Sequence, residues 1–122
     1  MRPVIGRGWA TVDLARAEAE LRDGDRIDAL EAAVRCSWLG ARCRRARVGG
    51  QWFVVLEPDT EGRLAAFLAR HGEGWAVTWT TDAGEIGGVA PRPGPLGPEV
   101  LADGQPRSGP FRLVVATATI EP

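Results

Sequence analysis

Apolar and polar positions change rhythm several times along this chain, and each change marks an element. Residues 8–14, Gly-Trp-Ala-Thr-Val-Asp-Leu, read as a strand, and residues 15–22 are strong helix formers with Glu18 and Arg22 at the supportive i,i+4 spacing. Asp23-Gly24-Asp25 interrupts. From about 26 to 38, Ile27, Leu30, Val34 and Trp38 fall on one stripe, with Arg26, Asp28, Glu31 and Arg35 outside it and Asp25 placed to cap. That spacing predicts a second helix, ended by Leu39-Gly40. Residues 41–48 read as a strand, Gly49-Gly50 as a turn and residues 51–56 as the hairpin partner.

The stretch 54–75, VVLEPDTEGRLAAFLARHGEGW, organises the rest. Val54-Val55-Leu56 is a strand that stops at Glu57-Pro58, because Pro58 has no N–H for a ladder. Asp59 or Thr60 is placed to cap a helix over 60–72 in which Leu64, Phe67, Leu68 and His71 recur at helical spacing, and Gly72 sits where a left-handed cap falls. Trp75 to Thr80 then alternates as a strand, which puts Trp75, Val77 and Trp79 on one face. Residues 81–86 allow at most a turn of helix. Residues 87–98 hold four Gly and four Pro, so they form a loop, a lid or a plain connection. Glu99 to Ala102 reads as a short strand and residues 111–120, β-branched and nearly uncharged, as a long one.

Two short echoes suggest an internal repeat. Gly8-Trp9-Ala10 returns as Gly74-Trp75-Ala76, and Leu56-Glu57-Pro58 as Ile120-Glu121-Pro122, in the same order and at almost the same offset.

Composition narrows the function classes. At 122 residues and 44% hydrophobic, the chain suits one domain with one core. A net charge of −1 gives no global attraction to nucleic acid or an anionic membrane. All 15 basic residues are Arg, and Lys, Asn and Tyr are absent, a codon bias that discounts arginine clusters as phosphate devices. Arg42, Arg44, Arg45 and Arg47 therefore read as charge that blunts an edge strand rather than as an anion clamp. Cys36 and Cys43 read as free and buried rather than as a disulfide. The start lacks the apolar core of a signal peptide, and no run approaches the ~20 apolar residues of a membrane span, so a cytoplasmic protein without membrane or nucleic-acid partners is expected.

The segment from Leu56-Glu57-Pro58 through the acidic turn and apolar helix to Gly72-Glu73-Gly74 resembles the vicinal oxygen chelate superfamily, which includes glyoxalase I, methylmalonyl-CoA epimerase and the bleomycin-resistance proteins. The resemblance implies an α+β fold of paired, partly degenerate βαβββ modules forming a curved mixed sheet around a cavity, most simply as a homodimer. Module one spans about 8–58, the connecting helix 60–72 and module two about 74–122. Module one shows too few strands between 40 and 58, and module two has a proline-rich loop where its helix belongs, so a contracted member is expected.

Catalytic members of that superfamily hold a divalent metal with residues near the start of the first strand and on the last strand of each module. The matching positions here are Gly6 to Ala10, Val54, Trp75 to Val77 and Ala118, and none is an acidic or histidine ligand. No metal and no cofactor are expected. Weak candidates for a proton carrier are Asp13, Glu57 and His71, each with a plainer reading as a cap, a strand end and a helix end. Five tryptophans are the stronger signal. Trp9, Trp52, Val54, Leu56, Trp75, Val77 and Trp79 are the expected ligand-binding wall, or else simply core. The leading expectation is a metal-independent protein that binds a small hydrophobic or aromatic natural product or metabolite. The alternative is an isomerase, epimerase or lyase working by acid/base chemistry next to a carbonyl.

Overall fold

A computed structural model of the chain describes residues 4–23, 30–81, 89–102 and 109–115. The elements run β1 (Val4–Ala10), α1 (Leu14–Asp23), β2 (Glu31–Cys36), β3 (Ala41–Val48), β4 (Gln51–Pro58), α2 (Arg63–His71), β5 (Gly74–Thr81), β6 (Glu99–Leu101) and β7 (Phe111–Val115). The strands form one mixed, curled sheet in the order β2-β3-β4-β1-β5-β7-β6, an α+β fold.

The two halves share a layout. β1 pairs parallel with β4, which is followed outward by antiparallel β3 and β2; β5 pairs parallel with β7, which is followed by antiparallel β6. β1 and β5 join the halves antiparallel, with Gly8 opposite Val77. Gly8 also pairs with Val54 and Val77 with Phe111, so fewer residues separate the first and last strands of the second half.

Curling brings the sheet's two outermost strands together. The Cys36 thiol of β2 donates to the Glu99 carboxylate of β6 at 3.0 Å, and the Trp38 indole N–H donates to the Glu99 carbonyl at 2.7 Å. The face they share is the inside of the curl. It is packed with Val54, Leu56, Cys43, Val77, Trp79, Phe111 and Leu113, closed at one end by Leu64 and Phe67 of α2. On the outer face α1 lays Leu14, Ala17 and Leu21 against Val55, Ala46, Phe53 and Leu30.

Several expectations are corrected. The helix foreseen over 26–38 is strand β2 from Glu31 to Cys36; its start, 24–29, lies outside the described residues. The stripe does not exist: Leu30 is buried under α1 while Val34 is 55% exposed. Pairing with β3, where Glu31 faces Arg45 and binds it at 2.8 Å, overrides helical propensity. β2 also supplies the strand that the first half was expected to lack, and it covers β3, which is therefore not an edge. The first strand is 4–10 rather than 8–14, because Thr11 to Asp13 turn into α1. Asp13 caps that helix, accepting from the Arg16 N–H at 3.1 Å. Helix α2 starts at Arg63 after Gly62, not after Asp59 or Thr60; its other end closes at Gly72, the residue foreseen, with the Gly72 N–H donating to Leu68 at 2.9 Å, but with φ 80° and ψ −175° rather than the left-handed cap. The turn at 82–86, the end of the last strand at 116–120 and the echo at 120–122 lie outside the described residues.

Candidate functional site

The inside of the curl carries one ionisable group that sequence reading passed over. Glu99 opens the three-residue strand β6 and is fully buried. One carboxylate oxygen accepts from the Trp79 indole N–H at 2.8 Å and the other from the Cys36 thiol. Its backbone exchanges two hydrogen bonds of 2.9 Å with Arg92. Burial pushes its pKa up to about 7, against the smaller opposing pull of the Cys36 and Trp79 donors. Burial likewise raises the Cys36 thiol, reinforced by the Glu99 charge, and pushes Cys43 up to about 12, so both stay protonated and unreactive. Both cysteines are free.

The proline-rich segment lies across this carboxylate. Gly94 touches it so closely that any Cβ there would collide with the Glu99 side chain. The segment is held at its flanks. Pro95 accepts from the Arg45 guanidinium at 2.8 Å, Pro93 from the Ser37 N–H at 3.2 Å, and the Arg92 guanidinium stacks on the Trp38 ring at 4.0 Å. Leu96 packs into the same core.

The structure divides the expected wall. Val54, Leu56, Val77 and Trp79 meet inside the curl around Gly8, where an added Cβ would stand 2.6 Å from Leu56 and 2.8 Å from Trp79. Trp52 stands at the rim beside Gly6, with Arg45 and Arg47 over its ring at 4.3 and 4.9 Å. Trp9 and Trp75 do not join them. A bulge in the β1–β5 pairing, where Gly8 faces Val77 but Trp9 faces Trp75, inserts Ala76 as an extra residue and breaks the alternation. Trp75 turns to the outer face and packs edge-on to Trp9 at 5.3 Å and Phe53 at 5.6 Å.

The three weak proton-carrier candidates are placed elsewhere. Asp13 and Glu57 line an outer cleft of about 420 Å³ with Val12, Leu14, Ala15, Glu18, Arg42 and Arg44. Glu57 accepts from the Leu14 N–H at 2.9 Å and pairs with Arg42, so it anchors the start of α1. His71 is exposed at the end of α2, 4.7 Å from the Phe67 ring. The hairpin arginines are engaged: Arg42 with Glu57, Arg44 with Glu18 and Arg45 with Glu31, which leaves little for an anion clamp.

For a metal, the positions that pair around the centre are Gly8, Val54, Val77 and Phe111, whose side chains offer no lone pair. Ala118, expected opposite, lies outside the described residues, and the residue that faces Val77 is Phe111. Among the described residues no group of three or more His, Cys, Asp or Glu is arranged to hold an ion. Among the described residues, those at this centre do not fit the divalent metal that catalytic members of the resembled superfamily hold. No described helix is long and apolar enough to cross a membrane.

No family model matches the chain, and no curated protein does. Solved structures do. A variant of the Streptomyces coelicolor methylmalonyl-CoA epimerase, in complex with 2-nitronate-propionyl-CoA, superposes with a TM-score of 0.72 at 21% identity, over 98% of this chain and 97% of that one. The Mycobacterium tuberculosis methylmalonyl-CoA epimerase gives 0.71 at 18% identity, over 92% and 85%. A hypothetical protein from Bacillus halodurans gives 0.71 at 18%, over 93% and 92%. The chain has the vicinal oxygen chelate fold that these epimerases share.

Proposed function

We propose that the protein binds a small, largely apolar organic molecule on the inner face of the curled sheet, anchored by Glu99 and without a metal. The observation that carries this reading is a carboxyl, the one buried among the described residues, bonded to Trp79, whose ring shares the inner core with Val77, Val54 and Leu56, and covered by one segment rather than by a packed element. An apolar wall with one convergent polar group is the usual composition of a ligand site. Two of the similar epimerase structures are complexes with CoA derivatives, 2-nitronate-propionyl-CoA and methylmalonyl-CoA, which agrees with a small organic ligand. In the closed state described here the protein's own side chains fill that space, so entry requires residues 91–98 to lift. The wall then consists of Trp52, Val54, Leu56, Val77 and Trp79, with Trp9 and Trp75 remaining outside.

One observation favours a second reading. A carboxyl held near pH 7 is matched to proton transfer next to a carbonyl, as an isomerase or epimerase requires. Glu99 replaces Asp13, Glu57 and His71 as the proton carrier in that case.

Tryptophan fluorescence titrated with small aromatic compounds and acyl thioesters tests the binding reading. Saturable quenching, indifferent to added divalent metal and with ligand mass unchanged, is expected. A response that appears only with metal refutes metal independence. Incubation of the thioesters in deuterium oxide separates the two readings. Gain of one mass unit in the wild type, lost in Glu99→Gln, would transfer the assignment to the isomerase.

A further inference from the structure

We infer that the inner face, when residues 91–98 lift, takes a flat, apolar molecule carrying one protonated amine, which replaces Gly94 at the Glu99 carboxylate. This rests on the binding reading above and names its ligand class. The first argument is charge. Glu99 is buried, and its two oxygens receive an indole N–H and a thiol, both neutral. No cation reaches it among the described residues, although the chain has paired its more exposed carboxylates Glu31, Glu57, Glu73 and Asp59 with arginine. A buried carboxylate lacking a cation is costly, and a ligand that brings the cation recovers the interaction.

The second argument is the aromatic lining. At the rim, the Trp38 ring already holds the Arg92 guanidinium and the Trp52 ring holds those of Arg45 and Arg47. The protein thus presents indole faces to cations, and a cationic aromatic ligand meets the same surfaces. The third is the cover itself. Gly94 offers the carboxylate only backbone contact, whereas the bonds that hold the segment lie at its flanks, on Arg45, Ser37 and the Arg92–Glu99 pair. Displacing Gly94 therefore breaks no bond to the carboxylate. An anionic ligand is disfavoured, because it would place a second negative charge against Glu99.

Calorimetric titration of the full chain with 1-naphthylmethylamine, 1-naphthalenemethanol and 1-naphthoate tests the assignment. The amine is expected to bind at least about tenfold more tightly than the alcohol, with the carboxylate weakest, a margin typical of one added charge-assisted hydrogen bond. Glu99→Gln should bring the amine to the level of the alcohol without weakening the alcohol. Gly94→Ala, whose methyl cannot rest on the carboxyl, should tighten the amine several-fold by releasing the cover. Circular dichroism confirms that both variants are folded. Equal binding of amine and alcohol, or an amine preference that survives in Glu99→Gln, overturns the ligand class and leaves the binding reading intact. Silence of all three probes with both wild type and Gly94→Ala overturns both.

Discussion

At the scale of single residues, Glu99 links the stability of the fold to pH. Its folded pKa of about 7 stands above the ordinary 4.5, so the folded state favours the protonated acid. The stability this contributes is fully present below pH 4.5, falls as pH rises towards 7 and is gone above it. The span of the shift corresponds to roughly 3 kcal/mol. Urea denaturation of wild type and Glu99→Gln at pH 5 and pH 8 isolates the effect, because the other titrating groups are common to both. The variant is expected to gain on the wild type by up to about that amount on going to pH 8. An unchanged difference between the two pH values would mean that Glu99 titrates as an exposed carboxyl. Little in the sequence marked this residue. It follows Pro98 and opens a three-residue strand, and the one available signal was a charge leading the apolar pair Val100-Leu101 in a place where the ladder must be buried.

At the scale of elements, what was legible followed from local rules, and what was missed followed from tertiary pairing. The stretch from Val54 to Thr80 forms its strand, helix and strand as foreseen, because Pro58, Gly72 and Gly74 punctuate it. Residues 31–36 do not follow their helical stripe, since β3 offers a ladder that local spacing cannot reveal. The bulge at Ala76 is equally invisible, and it alone sends Trp75 outward while Val77 and Trp79 stay inside. The strand at 31–36 makes a discriminating prediction. Leu30→Ala should cost about 2–3 kcal/mol, since Leu30 is buried beneath α1, whereas Val34→Thr should stay within about 0.5 kcal/mol. A helical stripe would make both substitutions costly, so comparable losses in a denaturant series would contradict β2.

At the scale of the whole molecule, the two similar halves are not independent. β1 is flanked by β4 of its own half and by β5 of the other, and the inner core mixes Val54 and Leu56 with Trp79 and Leu113. The far ends of the sheet are also clasped, by Cys36 and Trp38 on one side and Glu99 on the other. Losing either half would uncover the apolar inner face of the remaining one and free its central strand edge, so no partly unfolded form retains a closed core. Unfolding should therefore be a single transition, with far-UV circular dichroism, which follows both helices and the sheet, coinciding with fluorescence, which is weighted by the tryptophans near the β1–β5 seam. Separate midpoints for the two probes would mean that the seam opens before the halves melt. The same clasp makes Glu99 a group on which closure of the sheet depends: its carboxylate receives the Cys36 thiol of the opposite outer strand, whereas the pairing of β6 with β7 runs through the backbone and does not need that contact.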